Sequence, residues 1–456
     1  MTFKPPPGIA VATRHVGIDF GTTNSVLAVA PDDAGARPVR VALHGTRRDD
    51  SSYRSLLCFW LDEDESPGTI RAACGPAAIE AFRLHGPESR LIQSIKSFVA
   101  SASFEKTAIF GRSYTIVDLI SLLLRGLRRS AEADLGPLGH SATCGRPVHF
   151  AGQNADETLA LERLRQAYRH TGFDHVTFVA EPQAAAHHYA RTLSTPQTCL
   201  VADFGGGTSD FTLLRIEPAS SGAGVGASAV TEPQGDTSAG PRIIVLGLGG
   251  IGIAGDAFDQ RIVQRVVCPA LGLGSTYKGM SGQALQVPVQ YYEALAQWHR
   301  LSLMRTRQTL RELHDIRLTA DGPELIERFM YLLENELGFE LYTAVTDVKT
   351  RLSTDDEAEF SFRAGPIDIR TCIRRSDFEV WIAPELERLG QAVDALLESQ
   401  GRQPGEVDRV FLTGGSSLIP AVRQLFGKRF GAARLSGGDE FLSIASGLVL
   451  VGQAPR

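Results

Sequence analysis

The sequence predicts an α/β fold of two lobes, each built on a mixed sheet flanked by helices, with an extra helical subdomain in the second lobe. Three segments predict it. Val16-Gly17-Ile18-Asp19-Phe20-Gly21-Thr22-Thr23-Asn24-Ser25 and Val201-Ala202-Asp203-Phe204-Gly205-Gly206-Gly207-Thr208-Ser209-Asp210 repeat one pattern. Each has an apolar strand, an aspartate where it ends, a glycine-rich turn carrying threonine, and the start of a second strand. The third segment, Arg409-Val410-Phe411-Leu412-Thr413-Gly414-Gly415-Ser416-Ser417-Leu418-Ile419-Pro420, reads as a strand, a Gly-Gly turn and a helix start.

Such turns offer backbone N–H groups to an anion, and their glycines allow close approach and positive φ. The aspartates supply hard oxygens for a divalent cation or its waters. Two such hairpins imply two related half-domains that grip a nucleoside triphosphate between them. Hydroxyls and free N–H groups at the Gly-Gly turn suit a ribose, a phosphate or a base edge.

The elements follow in order. Residues 1–13 form a tail. The first lobe, 14–195, opens with the first hairpin and continues with helical patterns over 76–84 and 117–133. A strand is expected over 147–151, a helix over 156–171, a strand over 175–179 and a helix over 183–191. The second lobe, 196–456, opens with the second hairpin, whose tip at 217–241 is rich in Ser, Gly, Ala and Pro. Residues 284–353 read as helical, with Leu295, Trp298, Leu301 and Leu310, then Leu325, Phe329, Leu332 and Leu333, at helical spacing. Tyr291 and Tyr292 read as core. Strands at 358–363 and 367–373, a helix over 375–399, the third segment, a strand near Ala433 and a helix over 441–451 close the chain.

Composition narrows the function classes. The 456 residues, 43% hydrophobic and 21% charged, suit a globular protein with two or more cores. The 46 basic and 52 acidic residues leave a net charge of −6, which gives no electrostatic case for nucleic acid or an anionic membrane. The six cysteines form no CxxC pair, as expected of reduced thiols. The start lacks a signal-peptide core, and the longest apolar run, 119–127, is interrupted by Arg125. A cytoplasmic location is expected. A literal GxGxxG occurs in Gly247-Leu248-Gly249-Gly250-Ile251-Gly252, but no acidic residue stands where a ribose contact belongs and no βαβ unit surrounds it. It is read as incidental.

The order hairpin, hairpin, strand-Gly-Gly-helix is that of the actin-like ATPase superfamily. Within it the chain resembles the DnaK-type seventy-kilodalton heat-shock chaperones. Glu181-Pro182-Gln183-Ala184-Ala185-Ala186 is similar to their Glu-Pro-x-Ala-Ala-Ala, and 203–210 to their Asp-x-Gly-Gly-Gly-Thr-x-Asp. Gly255-Asp256-Ala257-Phe258-Asp259 resembles their Gly-Glu-Asp-Phe-Asp. Ile95-Lys96-Ser97-Phe98, Gly145-Arg146-Pro147-Val148-His149-Phe150 and Gly437-Gly438-Asp439-Glu440-Phe441 resemble the short YegD-type homologues, which have only the ATPase domain.

The resemblance implies ribonuclease-H-like sheets, ATP or ADP as ligand, and Mg²⁺ with K⁺ as a further cation. Asp19 and Asp203 would hold Mg²⁺ through its waters. Gly21, Thr22, Thr23 and Asn24, with Gly205, Gly206, Gly207 and Thr208, would clasp the phosphates. Lys96 would neutralise charge on the γ-phosphoryl oxygens, and Glu181 would orient the attacking water, with Thr208 and Asp210 nearby. Gly255, Lys349, Ser353, Gly414, Gly415 and Ser416 would line the nucleoside, with Asp439 beside it. Each role suits phosphoryl transfer, which needs a metal, a cation and a positioned water.

The pattern breaks on the adenosine side. Thr346, Thr350 and Leu418 stand where the family has Glu, Arg and Arg. Loss of two stacked guanidinium groups lowers the expected affinity about tenfold or more. From the length of the chain no peptide-binding domain is expected. The expected function is an ATP-binding, ATP-hydrolysing, chaperone-like two-lobe switch with an unknown protein partner or client. The alternatives are a small-molecule kinase using Glu181 as base, a filament-forming actin-like protein and a nucleotide-binding module without turnover.

Overall fold

The computed structural model describes residues 15–30, 39–40, 53–62, 68–148, 150, 155–190, 193–218, 241–279, 281–297, 301, 304, 306–437 and 444–453. The tail, most of the second hairpin's tip, Trp298, His149 and Asp439 lie outside the described residues.

Two mixed sheets organise the chain. In the first, Val16–Phe20 pairs antiparallel with Asn24–Val29, which pairs with Val39–Arg40 and Tyr53–Arg54. On its other side Val16–Phe20 runs parallel to Ser141–Arg146, and that strand parallel to His175–Ala180. In the second sheet Gln197–Phe204 pairs antiparallel with Ser209–Glu217, which pairs antiparallel with Arg242–Ile251. On its other side Gln197–Phe204 runs parallel to Arg409–Thr413, and that strand to Leu435–Gly437. The strand order and sense are the same in both, so the repeated sequence pattern is a repeated topology. This is the actin-like ATPase arrangement.

Each sheet has its own core. Val16, Ile18 and Phe20 pack with Leu119, Leu123 and Leu127 of the helix Ile116–Leu135 and with Leu164 and Tyr168 of Glu157–His170. That longer helix starts on a reciprocal cap: Thr115 Oγ1 accepts from the Asp118 N–H, and Asp118 accepts from the Thr115 N–H. In the second sheet Leu200, Phe211 and Leu213 pack with Phe258, Leu389 and Phe426. The run 284–353 opens with a short strand, Ala284–Gln286, paired to Thr276–Lys278. The helices Val289–Leu295, Arg307–Thr319, Pro323–Glu334 and Gly338–Leu352 follow. Tyr292 stacks on Phe329 in that core.

The glycine-rich run at 247–252 belongs mostly to the strand Arg242–Ile251, not to a dinucleotide turn. A Cβ on Gly249 would lie 3.3 Å from Leu396 Cβ, and one on Gly247 2.7 Å from Gln400 Cγ. Those glycines let the helix Ala383–Ser399 lie close on the sheet. The last helix, Ile444–Gln453, returns to the first sheet, where a Cβ on Gly17 would meet Ala445 O at 2.3 Å.

Candidate active site

Both aspartates are the penultimate residues of their strands, so each carboxylate stands at a strand's carboxyl end where the glycine turn begins. The two turns come together: a Cβ on Gly206 would lie 3.3 Å from Thr23 Oγ1. The first turn is held tightly. A Cβ on Gly21 would lie 2.1 Å from Asn24 O, so only glycine fits there. Ser55 braces it from outside, its N–H donating to Thr23 O at 2.9 Å and its Oγ to Gly21 O at 2.8 Å. In the second turn the Gly205 N–H donates to Thr208 O at 2.9 Å, and the Asp256 N–H donates to Gly206 O at 2.8 Å. Thr208 Oγ1 donates to Asp210 Oδ2 at 3.3 Å, and Asp210 is the register partner of Asp203.

Four chain segments meet between the turns. Lys96 comes from the 3₁₀ turn Ile95–Phe98, and Glu181 opens the helix Glu181–Ala190. Lys96 Nζ lies 2.9 Å from Glu181 Oε1, with both side chains largely buried. Burial, together with the charges of Glu181 and Asp203 and against that of Lys96, pushes the Asp19 carboxyl up to about 7. Burial, Glu181 and Asp210 push Asp203 up to about 6, while Thr413 Oγ1, donating to Asp203 Oδ1 at 3.2 Å, pulls it the other way. Burial alone would depress the Lys96 ammonium; Glu181 and Asp19 outweigh it and hold the ammonium above the ordinary lysine value. The carboxylates therefore outnumber the cations, and the site attracts positive charge.

Among the described residues no group of three or more His, Cys, Asp or Glu could hold a metal ion by itself. Mg²⁺ keeps several waters and is bound by one or two carboxylates plus substrate phosphates. Asp19 and Asp203, close enough for Asp203 to help raise the Asp19 carboxyl, fit such an ion.

The residues expected to line a nucleoside lie beside the second turn. Gly414 has φ 82°, and a Cβ there would lie 2.1 Å from Phe204 O, so the Gly-Gly turn presses on the strand that carries Asp203. Ser416 is buried. A Cβ on Gly255 would meet Ser416 Oγ at 3.2 Å and Lys349 Nζ at 3.3 Å. Lys349 Nζ lies 2.8 Å from Asp259 Oδ1 and donates to Gly255 O at 3.2 Å, and Ser353 Oγ donates to Lys349 O. At the departures from the family pattern, Leu418 is 59% exposed and Thr350 Oγ1 donates to Thr346 O. Arg351 donates to Glu359 O and sits 3.8 Å from Asp347, so it is occupied on its own helix and the following strand.

The structure thus brings Asp19, Thr23, Lys96, Glu181, Asp203, Gly206 and Asp210 to one place, with Gly255, Lys349 and Ser416 together beside the second turn. Sequence reading missed the roles of Ser55 and Thr413. Thr413 lies inside the third segment, directly before its Gly-Gly turn, and pairs in register with Asp203; that adjacency was its signal.

The paired sheets and convergent turns define the class, an actin-like ATPase fold. A family model described as Hsp70 protein matches residues 334–452. The chain is also 27% identical over 429 residues to the chaperone protein DnaK of Deinococcus proteolyticus, an alignment covering 90% of this chain and 54% of that protein. The chain is thus similar to Hsp70 proteins, and it spans about half the length of that curated relative. No helix among the described residues is long and apolar enough to cross a membrane.

Proposed function

We propose that the chain binds ATP with Mg²⁺ between its two glycine turns and hydrolyses it to ADP and phosphate. The observation that carries this is the buried Lys96–Glu181 pair, 2.9 Å apart and within the electrostatic reach of Asp19 and Asp203. A lysine and a glutamate shielded from water among aspartates form an assembly suited to stabilising charge on a transferring phosphoryl group.

Asp19 and Asp203 would hold Mg²⁺ through its waters, and the ion would neutralise phosphate charge. The N–H groups of 21–24 and 205–208 would hold the phosphate oxygens, with the Thr22, Thr23 and Thr208 hydroxyls beside them. Lys96 would leave Glu181 for the γ-phosphoryl oxygens, which frees Glu181 to orient the attacking water. Thr208 and Asp210 would steady that water from the second turn. Gly255, Lys349, Ser353 and the turn at Gly414, Gly415 and Ser416 would hold the nucleoside. Because the site draws on both sheets, turnover would change the angle between them and so the surface shown to a protein partner or client.

Single-turnover hydrolysis with Mg²⁺ tests this reading. Conversion of bound ATP to ADP, abolished by EDTA, is the expected result. Tight binding with no conversion over hours would make the chain a nucleotide-binding module instead.

A further inference from the structure

The turn that carries Lys96 starts on strained backbone. It begins at Ser94, whose φ of 55° lies in the left-handed region that non-glycine residues rarely adopt. It continues through the single 3₁₀ turn Ile95–Phe98, closed by the Val99 N–H donating to Lys96 O at 3.2 Å. Strained backbone persists only where its surroundings over-determine it.

One side chain bonds the segment that follows the turn at three points. Arg163, on the helix Glu157–His170, donates from Nη1 to Val99 O at 3.0 Å and to Ser101 O at 2.9 Å, and from Nη2 to Phe104 O at 2.9 Å. Three carbonyls of the segment that follows the lysine turn thus converge on one guanidinium. The same helix is tied to the segment again at its start, where the Asp156 N–H donates to Ala100 O at 3.0 Å. No ion pair of Arg163 occurs among the described residues. The rigid planar fork of a guanidinium can serve three acceptors at fixed angles, as a lysine ammonium on a flexible stem does not.

We infer that Arg163 is a positioning residue: it clamps 99–104 against the helix and so holds the strained turn that presents Lys96 to Glu181. This rests on the proposed ATPase reading for its kinetic consequence, but not for its structural one. A small misplacement of a charge-stabilising group lowers the rate far more than it lowers binding of a ligand held by many other contacts.

The test uses the full chain with Arg163→Met, Arg163→Lys and a control on the same helix, the exposed Arg169→Met. Two quantities are read. The first is labelling of Lys96 by an amine-reactive reagent in the nucleotide-free protein, followed by peptide mass spectrometry. The second is kcat for ATP beside nucleotide Kd. Lys96 should be labelled several-fold faster in Arg163→Met, with a smaller increase in Arg163→Lys and none in Arg169→Met. The kcat should fall about tenfold or more while Kd changes less than about twofold. If Arg163→Met fails to fold, Arg163→Lys decides by the same readings. Wild-type labelling and kcat in a folded Arg163 variant would overturn the clamp, even if its melting temperature falls. A wild-type protein without turnover would sink the ATPase reading, while the labelling comparison would still decide the role of Arg163.

Discussion

Replacing Asp19 by Asn should stabilise the nucleotide-free protein while impairing its ligand binding. The carboxyl is pushed from 3.8 to about 7, first by burial and then by Glu181 and Asp203. A carboxyl with its folded pKa above its unfolded value favours the fold only while protonated, and this contribution is lost as pH rises through the folded value. The full penalty, on the order of 4 kcal/mol at ~1.4 kcal/mol per pKa unit, is therefore present at pH 8. At pH 5 it has fallen to roughly 2 kcal/mol, because only the interval from 3.8 to 5 has been crossed. Asn removes the ionisable group at nearly constant volume. The variant should melt several degrees above wild type at pH 8 without ligand. That gap should narrow at pH 5, and added Mg²⁺ with ATP should stabilise wild type much more than the variant. Differential scanning calorimetry at both pH values, with and without ligand, reads all of this. A variant no more stable than wild type at pH 8, or a gap independent of pH, would refute the claim that ionised Asp19 is held at a cost.

On the proposed mechanism Lys96 and Glu181 act on the transition state, so Lys96→Ala and Glu181→Ala should lower kcat far more than they weaken nucleotide binding; equal losses in rate and affinity, from kinetics beside calorimetry, would make them ground-state ligands. With Thr350 and Leu418 at the positions of two family arginines and Arg351 occupied elsewhere, ATP should bind only modestly more tightly than GTP. Arginine at both positions should tighten ATP by about 1–2 kcal/mol, whereas a native preference for ATP above about a hundredfold would show that another group already holds the base.

The two hairpins were legible because everything that makes them, strand, aspartate, glycine turn and returning strand, is local in sequence. Elements set by distant partners were harder. A strand was expected over 147–151, but the strand is Ser141–Arg146. Its small and polar residues give no apolar run, and it is specified by parallel neighbours on both sides; Pro147, with no N–H, follows its end. The helix expected over 375–399 is two helices, Arg375–Trp381 and Ala383–Ser399, with Pro384 in the first turn of the second. Proline is well suited to a first helical turn. The helix expected from Gln183 begins at Glu181, which places that carboxylate on a helix and not in a loop. Ser55 carried no local signal, since it reaches the first turn from a separate strand pairing.

The central claim is that Asp19 and Asp203, from two sheets, jointly hold a metal–nucleotide complex. Isothermal titration of wild type and Asp203→Asn with ATP, each with Mg²⁺ and with EDTA, tests it most directly. Wild type should bind one ATP with affinity that depends strongly on Mg²⁺, and Asp203→Asn should lose most of that dependence while remaining folded. Equal, Mg²⁺-dependent binding by both proteins would contradict it.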